Sequence, residues 1–233
     1  MTEPVNIREN LGRTTEVRFG RFSGFYRYAR TQAEARQGLA WVVEAAEFSP
    51  TGARVVGVDI ETTSLAPEDG LIRLCQLAAG DRCVVIDAFH CELSELLGPL
   101  ALSGEFEWIA HNASFEQSWF GRHAGFTLAP MFDTRDVYIR ERARKTGRFA
   151  RGSSALDAIC RELLGFDLSK EQRLSDWTAE PLSPAQLEYG ALDSLVLPPL
   201  RAKLLADASD GGWDSEVAAA MEHSAGEARR FAA

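Results

Sequence analysis

The chain has 233 residues, of which 45% are hydrophobic, 25% charged and 9% aromatic, a balance that suits a globular core and excludes wholesale disorder. Its formal net charge of −9 excludes a uniformly basic nucleic-acid-coating protein, because phosphate neutralisation needs clustered Lys and Arg. No apolar run approaches the roughly 20 residues of a membrane helix, and Met1-Thr2-Glu3-Pro4 lacks a leader's basic and apolar stretches, so a cytoplasmic protein with no membrane partner is expected.

Residues 1–20 show no clear period, and Phe25 to Tyr28 reads as a short strand. Thr31 is a plausible N-cap for a helix to about Glu47, with Leu39, Val42, Val43 and Ala46 on one stripe. The Val-rich run Arg54 to Ile60 suits a buried strand, and Leu71 to Leu77 and Cys83 to Ile86 follow as two more. A helix is expected at Glu92 to Leu102, a strand at Phe106 to Ala110 and a helix at Ser114 to Arg122; after Asp133 the chain reads as mainly helical. This order predicts an α/β domain, a mixed central sheet with helices on its faces. A 1–24 extension, a core domain over 25–206 and a 207–233 linker with an accessory helix are the expected divisions. Four cysteines with no Cys-x-x-Cys pair point to free, buried thiols rather than zinc.

Chemistry concentrates at three places. In Asp59-Ile60-Glu61, alternation along a strand points both carboxylates to one face at a strand end, where they repel unless a hard cation such as Mg²⁺ or Mn²⁺ lies between them. Taken alone, the pair is a weak signal, and a solvated strand end is the better explanation of it. Farther on stands His111-Asn112-Ala113-Ser114-Phe115-Glu116. Ser183-Pro184-Ala185-Gln186 specifies a helix start, and Tyr189 and Asp193 then fall one turn apart on one face.

In this order the three segments resemble the motifs of the DEDD superfamily of 3′-5′ exonucleases. The likeness is to its tyrosine branch, since Glu188 stands where the other branch has histidine. It extends to Asp133-Thr134, Gly165, Lys170, Ser175-Asp176-Trp177 and Pro181-Leu182, as in ribonuclease D-like domains and the similar proofreading domains of family A DNA polymerases. It covers about residues 25 to 205. The resemblance implies a ribonuclease H-like fold and a phosphodiesterase with two divalent ions, Mg²⁺ or Mn²⁺, about 4 Å apart. It implies that Asp59 bridges both ions, that Glu61 and Asp193 complete one, that Glu116 serves the other and that Tyr189 orients the attacking water. Asn112 and Phe115 are then substrate-side or packing residues.

One residue departs from the pattern: the family supplies Asp where this chain has Glu116. Either its longer side chain reaches the second ion, or it lies on a helix surface and the domain is a catalytically weak or silent nucleic-acid-binding or scaffold module. His111 is expected to be structural. The basic run Arg135 to Arg151, with Arg142, Arg144 and Lys145, suits either single-stranded nucleic acid or a solvated helix face. Arg18, Arg21, Arg27 and Arg30 among aromatics favour an edge strand packed by those rings. Lys170 is the better single candidate for a phosphate. The expected partner is single-stranded DNA or RNA. The domain acts alone, or with a separate polymerase or RNA-binding partner, or as part of something longer.

Overall fold

The structure, a computed structural model, describes residues 13–147 and 154–231. Seven strands form one mixed sheet: β1 (Thr14–Phe19), β2 (Phe22–Ala29), β3 (Arg54–Thr62), β4 (Ile72–Ala79), β5 (Arg82–Asp87), β6 (Phe106–Ala110) and β7 (Met131–Asp133), in spatial order β1-β2-β5-β4-β3-β6-β7. The pairs β1/β2, β5/β4 and β4/β3 are antiparallel, and β2/β5, β3/β6 and β6/β7 are parallel. β3 and β5 therefore end at the same edge of the sheet, where Leu74 of β4 is the register partner of both Glu61 and Asp87.

Helices cover both faces, which is why every residue of β4 is buried and β3 carries a Val-rich run. One face carries α1 (Gln32–Glu44), α2 (Leu93–Ser103) and α3 (Ser114–His123) around Leu39, Val42, Leu97, Trp119 and Phe120. The other carries α4 (Thr134–Thr146), α5 (Leu156–Ile159, continued by a π-helical stretch Cys160–Leu164), α6 (Pro184–Leu195), α7 (Leu197–Gly211) and α8 (Asp214–Phe231) around Tyr138, Leu187, Leu200 and Trp213. Capping boxes start α1 at Thr31, which the sequence marks as an N-cap, and α6 at Ser183, where the sequence marks the box itself. All four cysteines are free and buried. Among the described residues, no helix is long and apolar enough to cross a membrane.

Three expectations need correction. The boundary at residue 25 cuts through a hairpin, because β1 pairs with β2 along the whole of β1 and Phe19, Phe22 and Phe166 pack together. The stretch from Asp207 is no linker: α7 runs through it to Gly211, and Gly212, at φ 64°, ends the helix. Residues 166–182 are turns rather than helix. Their buried residues Phe166, Leu168, Trp177 and Leu182 follow no helical period.

Two glycines set how closely α6 approaches the sheet. A Cβ at Gly190 would collide with the Gln76 carboxamide of β4, and one at Gly57 would lie 3.1 Å from the Ser194 carbonyl. The helix bearing Tyr189 and Asp193 is thereby pressed onto the strands bearing Asp59 and Glu61.

Candidate active site

Asp59 and Glu61 lie at the end of β3, where the register with β4 shifts after Glu61. Such a bulge ends pairing and re-aims side chains. Asp193 comes down from α6, and carboxylate oxygens of Asp59, Glu61 and Asp193 all lie within 4.8 Å of one another. Tyr189, one turn earlier, donates its hydroxyl hydrogen bond to Asp193.

Glu116 completes the group from α3. It is 2% exposed, and its Oε2 has no hydrogen-bond partner among the described residues. The turn that launches α3 is held by Asp133, whose carboxylate accepts from the Asn112 and Ala113 amides at 3.0 Å each and from the Arg135 amide at 2.9 Å. Asn112 takes φ 75° there, a conformation that asparagine tolerates better than most residues. Its side chain accepts from Arg135 at 3.1 Å.

Electrostatically the group is unresolved. Burial, then the Asp193 charge, pushes Asp59 well up; burial, then Asp59, does the same to Glu61 and to Glu116. Asp193 is pushed up to about 7, by burial first, against the opposing Tyr189 hydrogen bond. Tyr189 is raised by burial and by the neighbouring acids, so its hydroxyl stays protonated. Glu116 is buried and Asp59, Glu61 and Asp193 are half-buried, and close-set carboxyls whose pKa values are all raised favour a positive charge among them. Their donors are all hard oxygens, which suits Mg²⁺ or Mn²⁺.

The other expected residues fall elsewhere. Phe115 is half-buried and packs beside Trp119, ring centroids 6.0 Å apart. His111 is structural: its Nε2 donates to the Ser154 carbonyl at 3.0 Å, its Nδ1 meets the Thr134 hydroxyl at 2.9 Å, and burial lowers its pKa to about 4. Lys170 lies 2.7 Å from Asp157 and holds that carboxyl below its ordinary range against the pull of burial. Asp157, which sequence reasoning passed over, adds to the negative field at Asp193. The Lys170 match was the available pointer to it.

The basic helix α4 is largely spoken for. Arg142 pairs with Glu162 at 3.1 Å, Lys145 with Glu141, and Arg144 reaches the Gly211 carbonyl at 3.5 Å. None of these partners belongs to the acid group. Arg148, Phe149 and Arg151 lie outside the described residues.

Comparison with known proteins decides the family. Residues 32–208 match the family model described as 3′-5′ exonuclease. The chain belongs to the 3′-5′ exonuclease family. Within the DEDD superfamily it is ribonuclease D-like, with that group's ribonuclease H-like α/β fold. It is 28% identical to the ribonuclease D of Xanthomonas oryzae pv. oryzae over 179 residues, covering 74% of this chain and 47% of that protein. It is 31% identical to the DNA polymerase I of Aquifex aeolicus over 169 residues, 72% of this chain and 26% of that protein. Among solved structures it resembles Brucella melitensis NrnC bound to pGG, with 29% identity, TM-score 0.63, and coverage of 75% of this chain and 83% of that one. The exonuclease chain thus spans less than half the length of these two curated relatives.

Proposed function

We propose that this exonuclease domain hydrolyses single-stranded DNA or RNA from the 3′ end, releasing nucleoside monophosphates with the help of two divalent cations, Mg²⁺ or Mn²⁺. The acid group supports this most: three carboxylates within 4.8 Å, joined by a fourth whose buried oxygen lacks a partner among the described residues. Asp59, Glu61 and Asp193 would hold one cation, and Asp59 with Glu116 the other. Cations bound there acidify a water and stabilise the departing 3′ oxygen. Tyr189, kept protonated by burial and its acidic neighbours and donating that proton to Asp193, would orient the attacking water through its hydroxyl oxygen. Phe115 and Lys170 stand on the substrate side. A silent module is not favoured, because its support was the departure at Glu116, and that side chain is buried within the field of Asp59.

The test is incubation of the protein with end-labelled single strands of DNA and RNA in Mg²⁺, Mn²⁺ or EDTA. A descending ladder ending in mononucleotides is expected with metal alone. An unchanged rate on 3′-blocked strands would sink the exonuclease reading, and full activity in EDTA would sink the metal reading.

A further inference from the structure

Two of the five site residues ride on α6, yet the 17 residues before Ser183, 166–182, form no helix or strand. Beyond Lys170 and Phe166, ties to α6 and β4 hold the latter half of that segment. Trp177 packs against Tyr189 with ring centroids 6.3 Å apart. The Gln186 carboxamide donates to the Ser175 hydroxyl at 3.1 Å and the Asp176 carbonyl at 3.0 Å. Finally, the Glu180 carboxylate reaches across to β4, where it accepts from Arg73 Nη2 at 2.9 Å.

Arg73 is completely buried, an unusual place for a guanidinium. Asp87, also completely buried, pairs with it from behind and accepts from the Tyr28 hydroxyl at 2.5 Å and the Phe89 amide at 3.2 Å. Arg73 donates as well to the Ala179 carbonyl at 3.4 Å, and Arg30 pairs with both Glu180 and Asp87. Oxygens or nitrogens of Asp87, His90 and Glu180 converge closely enough for a metal, but the two guanidiniums already fill that place with positive charge. A buried ion pair contributes little net stability, because desolvation offsets its attraction; fixing one conformation is its better-attested use. Position shows which conformation is fixed here. Arg73 adjoins Leu74, the register partner of Glu61, while Glu180 lies three residues before the α6 cap.

We propose that Arg73 and Glu180 are positioning residues. Their ion pair clamps the segment leading into α6 onto β4 and so, through Trp177, sets the alignment of Tyr189 against the acid group. This rests on the acid group being the catalytic site. Glu180 acts on turnover through Tyr189 rather than by touching substrate.

Glu180→Gln is the cleanest test, because Arg73 keeps Asp87 and no buried charge is orphaned. The expected result is a kcat about 10-fold lower, the scale of a small misalignment, with KM and strand affinity in EDTA within about twofold of wild type. Glu180→Asp, which keeps the charge, should recover most of the loss. In a Tyr189→Phe background the effect of Glu180→Gln on kcat should shrink below about twofold, since residues acting as a unit are not additive. An unchanged kcat in Glu180→Gln, or the same loss in both backgrounds, overturns the proposal. Hydrogen exchange in EDTA reads the clamp without turnover: amides of 186–190 should exchange at least about 10-fold faster in Glu180→Gln while those of α1 stay unchanged. Equal exchange overturns the clamp, whereas a wild-type protein inactive on every strand overturns only the functional reading beneath it.

Discussion

Two groups of carboxylates flank Leu74 at one edge of the sheet, and they solve the problem of buried charge in opposite ways. Around Asp87 the answer is internal: Arg73, Arg30 and the Tyr28 hydroxyl surround it, and Glu180 closes the network. Around Asp59 the neighbours are further acids, and burial and mutual repulsion both push their pKa values up. Positive charge supplied by the chain marks a structural device, and positive charge left to be supplied marks a site. The difference is physical and does not depend on counting acids.

The largest effect should come from removing charge at the unneutralised group. Asp59→Asn should abolish metal-dependent turnover, because it removes the carboxylate shared by the proposed ions. It should also raise the melting temperature in EDTA, since a repelled buried charge disappears while the shape stays. Thermal melts in EDTA beside nuclease assays check both halves. A variant that retains turnover, or melts lower than wild type without metal, breaks the contrast.

The same substitution at the neutralised group should act in reverse. Asp87→Asn takes from Arg73 its fully buried counter-charge and leaves it only the half-exposed Glu180, and breaking a buried pair in this way costs about 3–5 kcal/mol. Chemical denaturation should show that loss whether or not metal is present. A stability change below about 1 kcal/mol would mean that Arg73 finds other partners and that the two groups differ less than their geometry suggests.

Glu116 sharpens the comparison at the one position that departs from the family pattern. If it serves an ion, Glu116→Asp should keep measurable activity with a changed preference between Mg²⁺ and Mn²⁺, because Mg²⁺ demands stricter octahedral geometry. Glu116→Ala should lose most activity. Metal-titration kinetics that match wild type in both variants would remove Glu116 from the site.

How much of this was written in the sequence follows from where each signal lives. Local signals read well: the N-cap at Thr31, the capping box at Ser183, the buried Val run of β3, and the i, i+4 step from Tyr189 to Asp193 all depend on neighbours a few residues away. β1 escaped although its burial alternates along Thr14–Phe19, because only Val17 and Phe19 of its inward residues are apolar, too few to mark a strand by pattern. The Arg73 network escaped because its partners stand 14 and 107 residues along the chain, and nothing local marks an arginine as buried. The α4 cations misled in the other direction: a run of Arg and Lys looks free until Glu162, Glu141 and Gly211 arrive from the fold. The acid group was legible only as three ordered motifs, and its burial and convergence needed the tertiary structure.

The smallest effect is in the pH dependence of stability, and it isolates a single member of the unneutralised group. Asp193 in the folded protein titrates at about 7, whereas an unfolded aspartate titrates near 4. Between those values the folded state binds more protons than the unfolded state, so the Asp193 contribution to stability falls as pH rises and stays low above about 7. In EDTA, wild type should therefore lose stability relative to Asp193→Asn across about pH 4 to 7, by at most about 4 kcal/mol. Comparing the two proteins cancels the titrating groups that do not face Asp193, including His111, whose lowered pKa acts in the opposite direction by destabilising the folded state as pH falls; Asp59 and Glu61, which feel the Asp193 charge, add to the difference with the same sign. Saturating Mg²⁺ should flatten or reverse the wild-type slope, because a bound cation favours the ionised carboxylate. Parallel stability curves for the two proteins in EDTA would show that Asp193 is already neutralised by the chain, and would move it from the open group to the closed one.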